Sequence, residues 1–198
     1  MKAIAFADLH GNMRELDRII RTSKKAELLL CAGDLTNFQR GLVGMLRKLE
    51  RTGKRVVIIP GNHEGPRYLK EVSRRFPHIK EIHKSSCIIG NLLIIGYGSG
   101  GFLQREPDFP GTARKFAEQI RKHPEKKVVM LSHTPPYGTK LDRIGREHRG
   151  SRDISEFIKK HRVELLLCGH LHENAGIIEK IGRTTIINPG NYMKIEIK

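Results

Sequence analysis

Short runs of leucine and β-branched residues alternate, along most of the chain, with longer stretches whose apolar positions recur every three or four residues. The short runs at 2–7, 27–32, 55–60, 86–89, 92–96, 127–132, 163–168, 175–181, 183–187 and 192–197 predict strands. The longer stretches at 12–25, 40–52, 65–76, 111–122 and 151–161 predict amphipathic helices. Val56-Val57-Ile58-Ile59 shows no polar alternation, which marks a strand covered on both faces. The early alternation of strand and helix predicts βαβ crossovers and parallel pairing. From about Ala175 the strands follow one another directly, which predicts antiparallel hairpins. Two mixed sheets packed together with helices outside satisfy both patterns, so the class is α/β. The chain has 198 residues, with no repeat, low-complexity segment or linker, and one domain spanning 1–198 is expected. Residues 97–111 and 134–150 read as loops.

Composition narrows the partners. No apolar run approaches the ~18 residues that span a bilayer, and the N-terminus has no signal-peptide pattern, so a cytoplasmic protein without membrane association is expected. Cys31, Cys87 and Cys168 are an odd number without C-x-x-C spacing and read as buried reduced thiols. The net charge is +16, spread over both halves of the chain. That balance admits a nucleic-acid partner without requiring one. Lys/Arg-rich helix surfaces in a heat-adapted protein account for it equally well. Edge strands near 183–197 are compatible with an oligomer.

The chemistry sits where the strands stop. Strand 2–7 runs into Asp8-Leu9-His10, strand 27–32 into Gly33-Asp34, and strand 55–60 into Gly61-Asn62-His63-Glu64. Strand 127–132 ends at His133, and strand 163–168 runs into Gly169-His170-Leu171-His172. In open α/β sheets, ligands bind outside the carboxyl ends of strands. Taken singly, Asp34 reads as a helix cap or turn residue, Asn62 as a turn residue and His133 as a structural histidine. Together, five of the ten histidines with two aspartates at strand ends describe a site. Carboxylate, amide and imidazole without thiolate suit Mn²⁺, Fe or Zn²⁺. Asp8, His10, Asp34, Asn62, His133, His170 and His172 are too many for one ion. Two ions roughly 3.5–4 Å apart, bridged by one carboxylate, use them all and leave His63 free. Such a pair lowers the pKa of a bridging water and supplies hydroxide for in-line attack on a phosphate ester.

D-x-H (8–10), G-D (33–34), G-N-H-E (61–64), the lone His133 and G-H-x-H (169–172) resemble, in type and order, the calcineurin-like metallophosphoesterase superfamily. The tail Asn188-Pro189-Gly190 and the run His133-Thr134-Pro135-Pro136-Tyr137-Gly138 are similar to those of small prokaryotic phosphoesterases and cyclic-nucleotide-type phosphodiesterases. The resemblance implies a four-layer αββα sandwich and two divalent ions, Mn before Fe, Zn or Ni. It implies that Asp8, His10, Asp34 and His172 hold one ion, that Asp34, Asn62, His133 and His170 hold the other, and that His63 is the catalytic histidine. Glu64 then either orients a site residue or caps the following helix.

After Asp34 the chain reads Leu35-Thr36-Asn37-Phe38-Gln39-Arg40-Gly41 in place of the G-D-x-x-D-R-G of Ser/Thr protein phosphatases, which disfavours that activity. The expected substrate is a small phosphorylated or nucleotide-like monoester or diester. A nuclease, and a catalytically silent scaffold of the same fold, are the alternatives. The basic loop 134–150, with Lys140, Arg143, Arg146, His148 and Arg149, is the candidate phosphate clamp. Gly98-Ser99-Gly100-Gly101-Phe102 is a candidate wall. His78, His83, His123 and His161 read as surface residues.

Overall fold

The computed structural model describes residues 1–98, 100–101 and 103–197. Strands β1 (Lys2–Phe6), β2 (Leu28–Cys31), β3 (Arg55–Ile58) and β4 (Ile79–Glu81) are separated by helices α1 (Met13–Thr22), α2 (Leu42–Glu50) and α3 (Pro66–Ser73). Next come β5 (Ser85–Ile89), β6 (Leu92–Tyr97), α4 (Phe109–Lys122) and β7 (Lys127–Ser132). A small hairpin, β8 (Arg143–Ile144) and β9 (Glu147–His148), precedes α5 (Arg152–Lys160) and β10 (Leu165–Leu167). The chain ends with β11 (Ile178–Ile181), β12 (Thr184–Ile187) and β13 (Met193–Glu196).

Two large mixed sheets result, ordered β13-β1-β2-β3-β4 and β11-β12-β10-β7-β6-β5. β1 to β4 are parallel, as are β6, β7, β10 and β12; β13, β11 and β5 add antiparallel edges. β11 and β12 form the expected hairpin. β13 does not continue it but crosses to pair with β1, because the Asn188-Pro189-Gly190 turn redirects the chain.

Strand residues alternate between two interiors. Ile4, Phe6, Leu29, Cys31, Val56 and Ile58 pack outward against α1, α2 and α3. Ala3, Ala5, Ala7, Leu28, Leu30, Val57 and Ile59 pack inward against Leu92, Ile94, Val129, Leu131 and Leu167 of the second sheet. Leu93, Ile95, Val128, Met130 and Leu166 face α4 and α5. This is the four-layer αββα sandwich, and it explains why these strands lack polar alternation: both faces are dry. Cys31 and Cys168 are buried free thiols, whereas Cys87 is only partly buried. No described helix is long and apolar enough to cross a membrane.

Candidate metal centre

The carboxyl ends of β1, β2 and β3 in one sheet and of β7 and β10 in the other meet at one seam. β1 delivers Asp8 and His10, β2 delivers Asp34, and β3 delivers Asn62 and His63. Across the seam, β7 delivers His133 and β10 delivers His170 and His172. Within each sheet, backbone bonds carry the pairing past the strand ends, from Asp8 N–H to Gly33 O at 3.1 Å in one and from Gly169 N–H to His133 O at 3.0 Å in the other. Small residues allow the approach. A Cβ on Gly61 would stand 2.0 Å from Asp34 Oδ1, and one on Gly169 would stand 2.6 Å from Asp8 Oδ2. At both positions the glycine is needed for space, since neither has a left-handed backbone.

Asp34 is the centre of the cluster. Its Oδ2 lies 3.4 Å from His133 Nε2, 3.8 Å from His10 Nε2 and 4.0 Å from His63 Nε2. His172 Nε2 stands 3.9 Å from Asp8 Oδ1 and 3.0 Å from His10 Nε2. Asn62 Oδ1 lies 3.1 Å from His133 Nε2 and 3.0 Å from His170 Nδ1. Three overlapping sets of donor atoms lie within 4.8 Å of one another: Asp8, His10 and His172; His10, Asp34 and His63; and Asp8, Asp34 and His133. The nitrogen-to-carboxylate separations of 3.8–4.0 Å are too long for hydrogen bonds. They are the right length for co-ligands, because two donors at about 2.1 Å from one ion stand roughly 3–4.2 Å apart. The donor set therefore fits divalent metal.

The imidazoles are prepared for that role. His133 Nδ1 donates to the Ala32 carbonyl at 2.8 Å, which leaves the Nε2 lone pair facing Asp34. His10 Nδ1 is 3.0 Å from Asn37 Oδ1, while Asn37 Nδ2 donates to the His10 carbonyl at 3.0 Å. That pair fixes the ring and its tautomer, a role for Asn37 that only the fold reveals. Burial alone would raise the Asp34 carboxyl, but His133 and the His63 backbone N–H bring it below its ordinary value. Burial would lower His133, and Asp34 outweighs it to raise that imidazole. Asp8 is raised by burial in spite of His133 beside it, and burial takes His170 down to about 4. His63 Nδ1 is buried and has no hydrogen-bond partner among the described residues.

Glu64 does not cap α3, whose N-terminal residue Gly65 has no side-chain partner. Its buried carboxylate accepts N–H bonds from Asp34 (3.0 Å), Thr36 (2.8 Å) and Gly61 (3.0 Å), and the Thr36 hydroxyl bond at 2.7 Å. It thereby ties the β2 and β3 ends together. Asn188 acts similarly on the other flank: its Nδ2 donates to Leu171 O at 3.2 Å and its Oδ1 accepts from Gly190 N–H at 2.9 Å.

The proposed clamp divides. His148 is bonded through Nδ1 to the fully buried Asp142 at 2.7 Å, where it organises the loop. Asp142 also accepts from the Gly138, Thr139 and Gly150 N–H groups. Arg143 and Arg146 are exposed on the β8–β9 hairpin, and no hydrogen bond or ion pair joins their side chains to the centre among the described residues. Of the candidate wall, Ser99 and Phe102 lie outside the described residues. Gly100 does lie over the site, since a Cβ there would stand 2.7 Å from His133 Cδ2.

His83 is not a surface residue. It is half-buried, and its Nδ1 accepts the Gly98 N–H at 2.9 Å, at the root of that glycine segment. Burial, with Lys84 adjacent, lowers its pKa to about 4. Its folded value lies below the unfolded ~6.5, so its contribution is present above pH ~6.5 and is lost as pH falls toward 4. His83→Asn keeps an acceptor and removes the titration. The wild type is expected to lose up to about 3 kcal/mol relative to this variant between pH 6.5 and 4. Urea denaturation of metal-free protein across that range reads the difference, and parallel pH profiles would refute it.

Residues 1–174 match the calcineurin-like phosphoesterase family. The chain belongs to that family. Among relatives of this phosphoesterase is an uncharacterised protein of Methanocaldococcus jannaschii, 28% identical over 96% of this chain and 88% of its own length. A probable cyclic nucleotide phosphodiesterase of Synechococcus is 27% identical over 96% of this chain and 71% of its own. The structure of a dimetal phosphatase from Danio rerio shares the calcineurin-like fold, with a TM-score of 0.70 at 10% identity, covering 94% and 86% of the two chains. Membership of this metal-dependent family, with phosphodiesterase-named relatives at 25–27% identity, supports a phosphoester hydrolase.

Proposed function

We propose that the protein hydrolyses a small phosphate diester or monoester at a dinuclear centre held by Asp8, His10, Asp34, Asn62, His133, His170 and His172. The observation that carries this is Asp34 Oδ2 standing between His133 Nε2 at 3.4 Å and His10 Nε2 at 3.8 Å, one from each proposed ligand set, the disposition of a shared carboxylate. When bound, the two ions, Mn²⁺ in our reading, supply an activated water and neutralise phosphate charge. The chain does the rest. Asn37 and the Ala32 carbonyl orient imidazoles, Glu64 fixes the backbone that carries Asp34, and His63 protonates the leaving oxygen. The Synechococcus relative supports a diester substrate.

The test uses metal-stripped protein with a nitrophenyl phosphomonoester and the matching diester, each with and without added Mn²⁺. Turnover restored by Mn²⁺ is expected, with the diester preferred. Failure to bind metal at all would overturn the reading. His63→Ala should retain both ions and lose on the order of 10²–10⁴-fold in turnover. Metal analysis beside the rate assay checks this, and full activity would remove His63 from its role.

A further inference from the structure

Phe38 is unexplained by metal chemistry. Its side chain is 73% exposed, and its ring centroid lies 4.5 Å from that of His63, tilted by 49°. Single exposed apolar residues are common on protein surfaces. This one is held in place by unfavourable backbone: φ is +48° at Phe38 and +66° at Gln39, both in the left-handed region that bulky side chains avoid. Nor is the loop loose. Leu35 and Thr36 are fully buried, Asn37 is bonded to the ring and carbonyl of His10, and the Gln39 side chain folds back toward Gly65. The segment that fixes His10 thus also presents a bare aromatic ring to solvent, beside the imidazole assigned to the leaving group.

We propose that Phe38 is a stacking platform for a planar aromatic group on the substrate, with a nucleoside phosphate as the fitting class; this rests on the phosphoesterase reading and deepens it. A phosphoryl group seated at Asp34 places its ester oxygen beside His63, and a base carried on that oxygen reaches the Phe38 ring. A phenyl ring stacks on any base and reads no hydrogen-bond pattern, so discrimination is for a base over none. A polyol in the same place gains nothing from the ring.

The experiment measures equilibrium affinity of Mn²⁺-loaded protein for AMP and for ribose 5-phosphate by calorimetry. The wild type should bind AMP about tenfold more tightly. Phe38→Ala and Phe38→Leu should lose that advantage with ribose 5-phosphate affinity unchanged, and Phe38→Trp should keep it. Phe38→Gly, which relieves the backbone, should leave the denaturation midpoint unchanged or higher, which separates this role from a structural one. Equal wild-type affinities, or an advantage that survives in the Ala and Leu variants, would overturn the proposal. Nitrophenyl diester turnover without an AMP advantage sinks the platform and keeps the phosphoesterase. A Phe38-dependent AMP advantage in protein that turns over no ester does the reverse.

Discussion

Asp34→Asn is expected to empty the centre of metal and to reduce turnover by more than about 10⁴-fold. The substitution is isosteric, and an amide oxygen at Oδ1 can still accept the 2.9 Å bond from the His63 N–H. What disappears is the negative charge on Oδ2, the atom that three Nε2 groups surround. Neutral imidazoles and one amide do not offset two divalent charges, and Asp8 alone serves only part of the set. Without the ions, water reverts from a pKa near 7 toward 15.7, which makes this loss larger than that of any single proton donor. The fold should survive, since the isosteric amide fills the same buried space and keeps the acceptor for the His63 N–H. Metal content after gel filtration, with turnover, decides the matter. Two retained ions and wild-type rates would remove Asp34 from the centre of the mechanism.

The second large effect is on stability. Glu64→Gln is expected to destabilise metal-free protein by roughly 3–5 kcal/mol, or about 10 °C in midpoint. Each carboxylate oxygen takes two bonds: Thr36 N–H and hydroxyl on Oε1, Asp34 and Gly61 N–H on Oε2. The amide turns one of those acceptors into a donor facing donors, in a site only 4% exposed. Because the bonds hold the backbone of Asp34, metal affinity should fall as well, by about 10–100-fold. Thermal denaturation and metal titration check both, and an unchanged midpoint would show that the carboxylate is dispensable.

Glu64 also shows where the sequence stops being legible. Its place before a helix is compatible with capping, and only the fold brings Asp34, 30 positions earlier, onto its oxygens. The same holds for Asn37 and His83, whose partners arrive from other strands. The ends of β1, β2, β3, β7 and β10 were readable because apolar runs buried on both faces stop abruptly at polar residues. β4 was missed: three residues with Lys80 in the middle carry no apolar run, and the strand exists by pairing with β3. The β8–β9 hairpin is likewise too short for a periodic signal. The order of β11, β12 and β13 was visible, but not which sheet each joins, since adjacency in sequence does not specify the Asn188 turn.

One consequence follows from the backbone of the centre itself. Asp8, His10, Asp34 and His170 all have φ between +46° and +72°. Each such residue is disfavoured by about 1 kcal/mol or more, and the four together weigh noticeably against a net stability of order 5–15 kcal/mol. Glycine would relieve that backbone at each of them, although at Asp8 and Asp34 it would also remove the acceptor of the His170 and His63 N–H groups. A lineage released from the chemistry would therefore lose the two histidines more readily than the two aspartates, whose carboxylates also hold backbone N–H groups. The sequence as it stands is displaced from its own folding optimum, and four of the seven non-glycine residues with left-handed backbone among the described residues lie at one seam between two sheets.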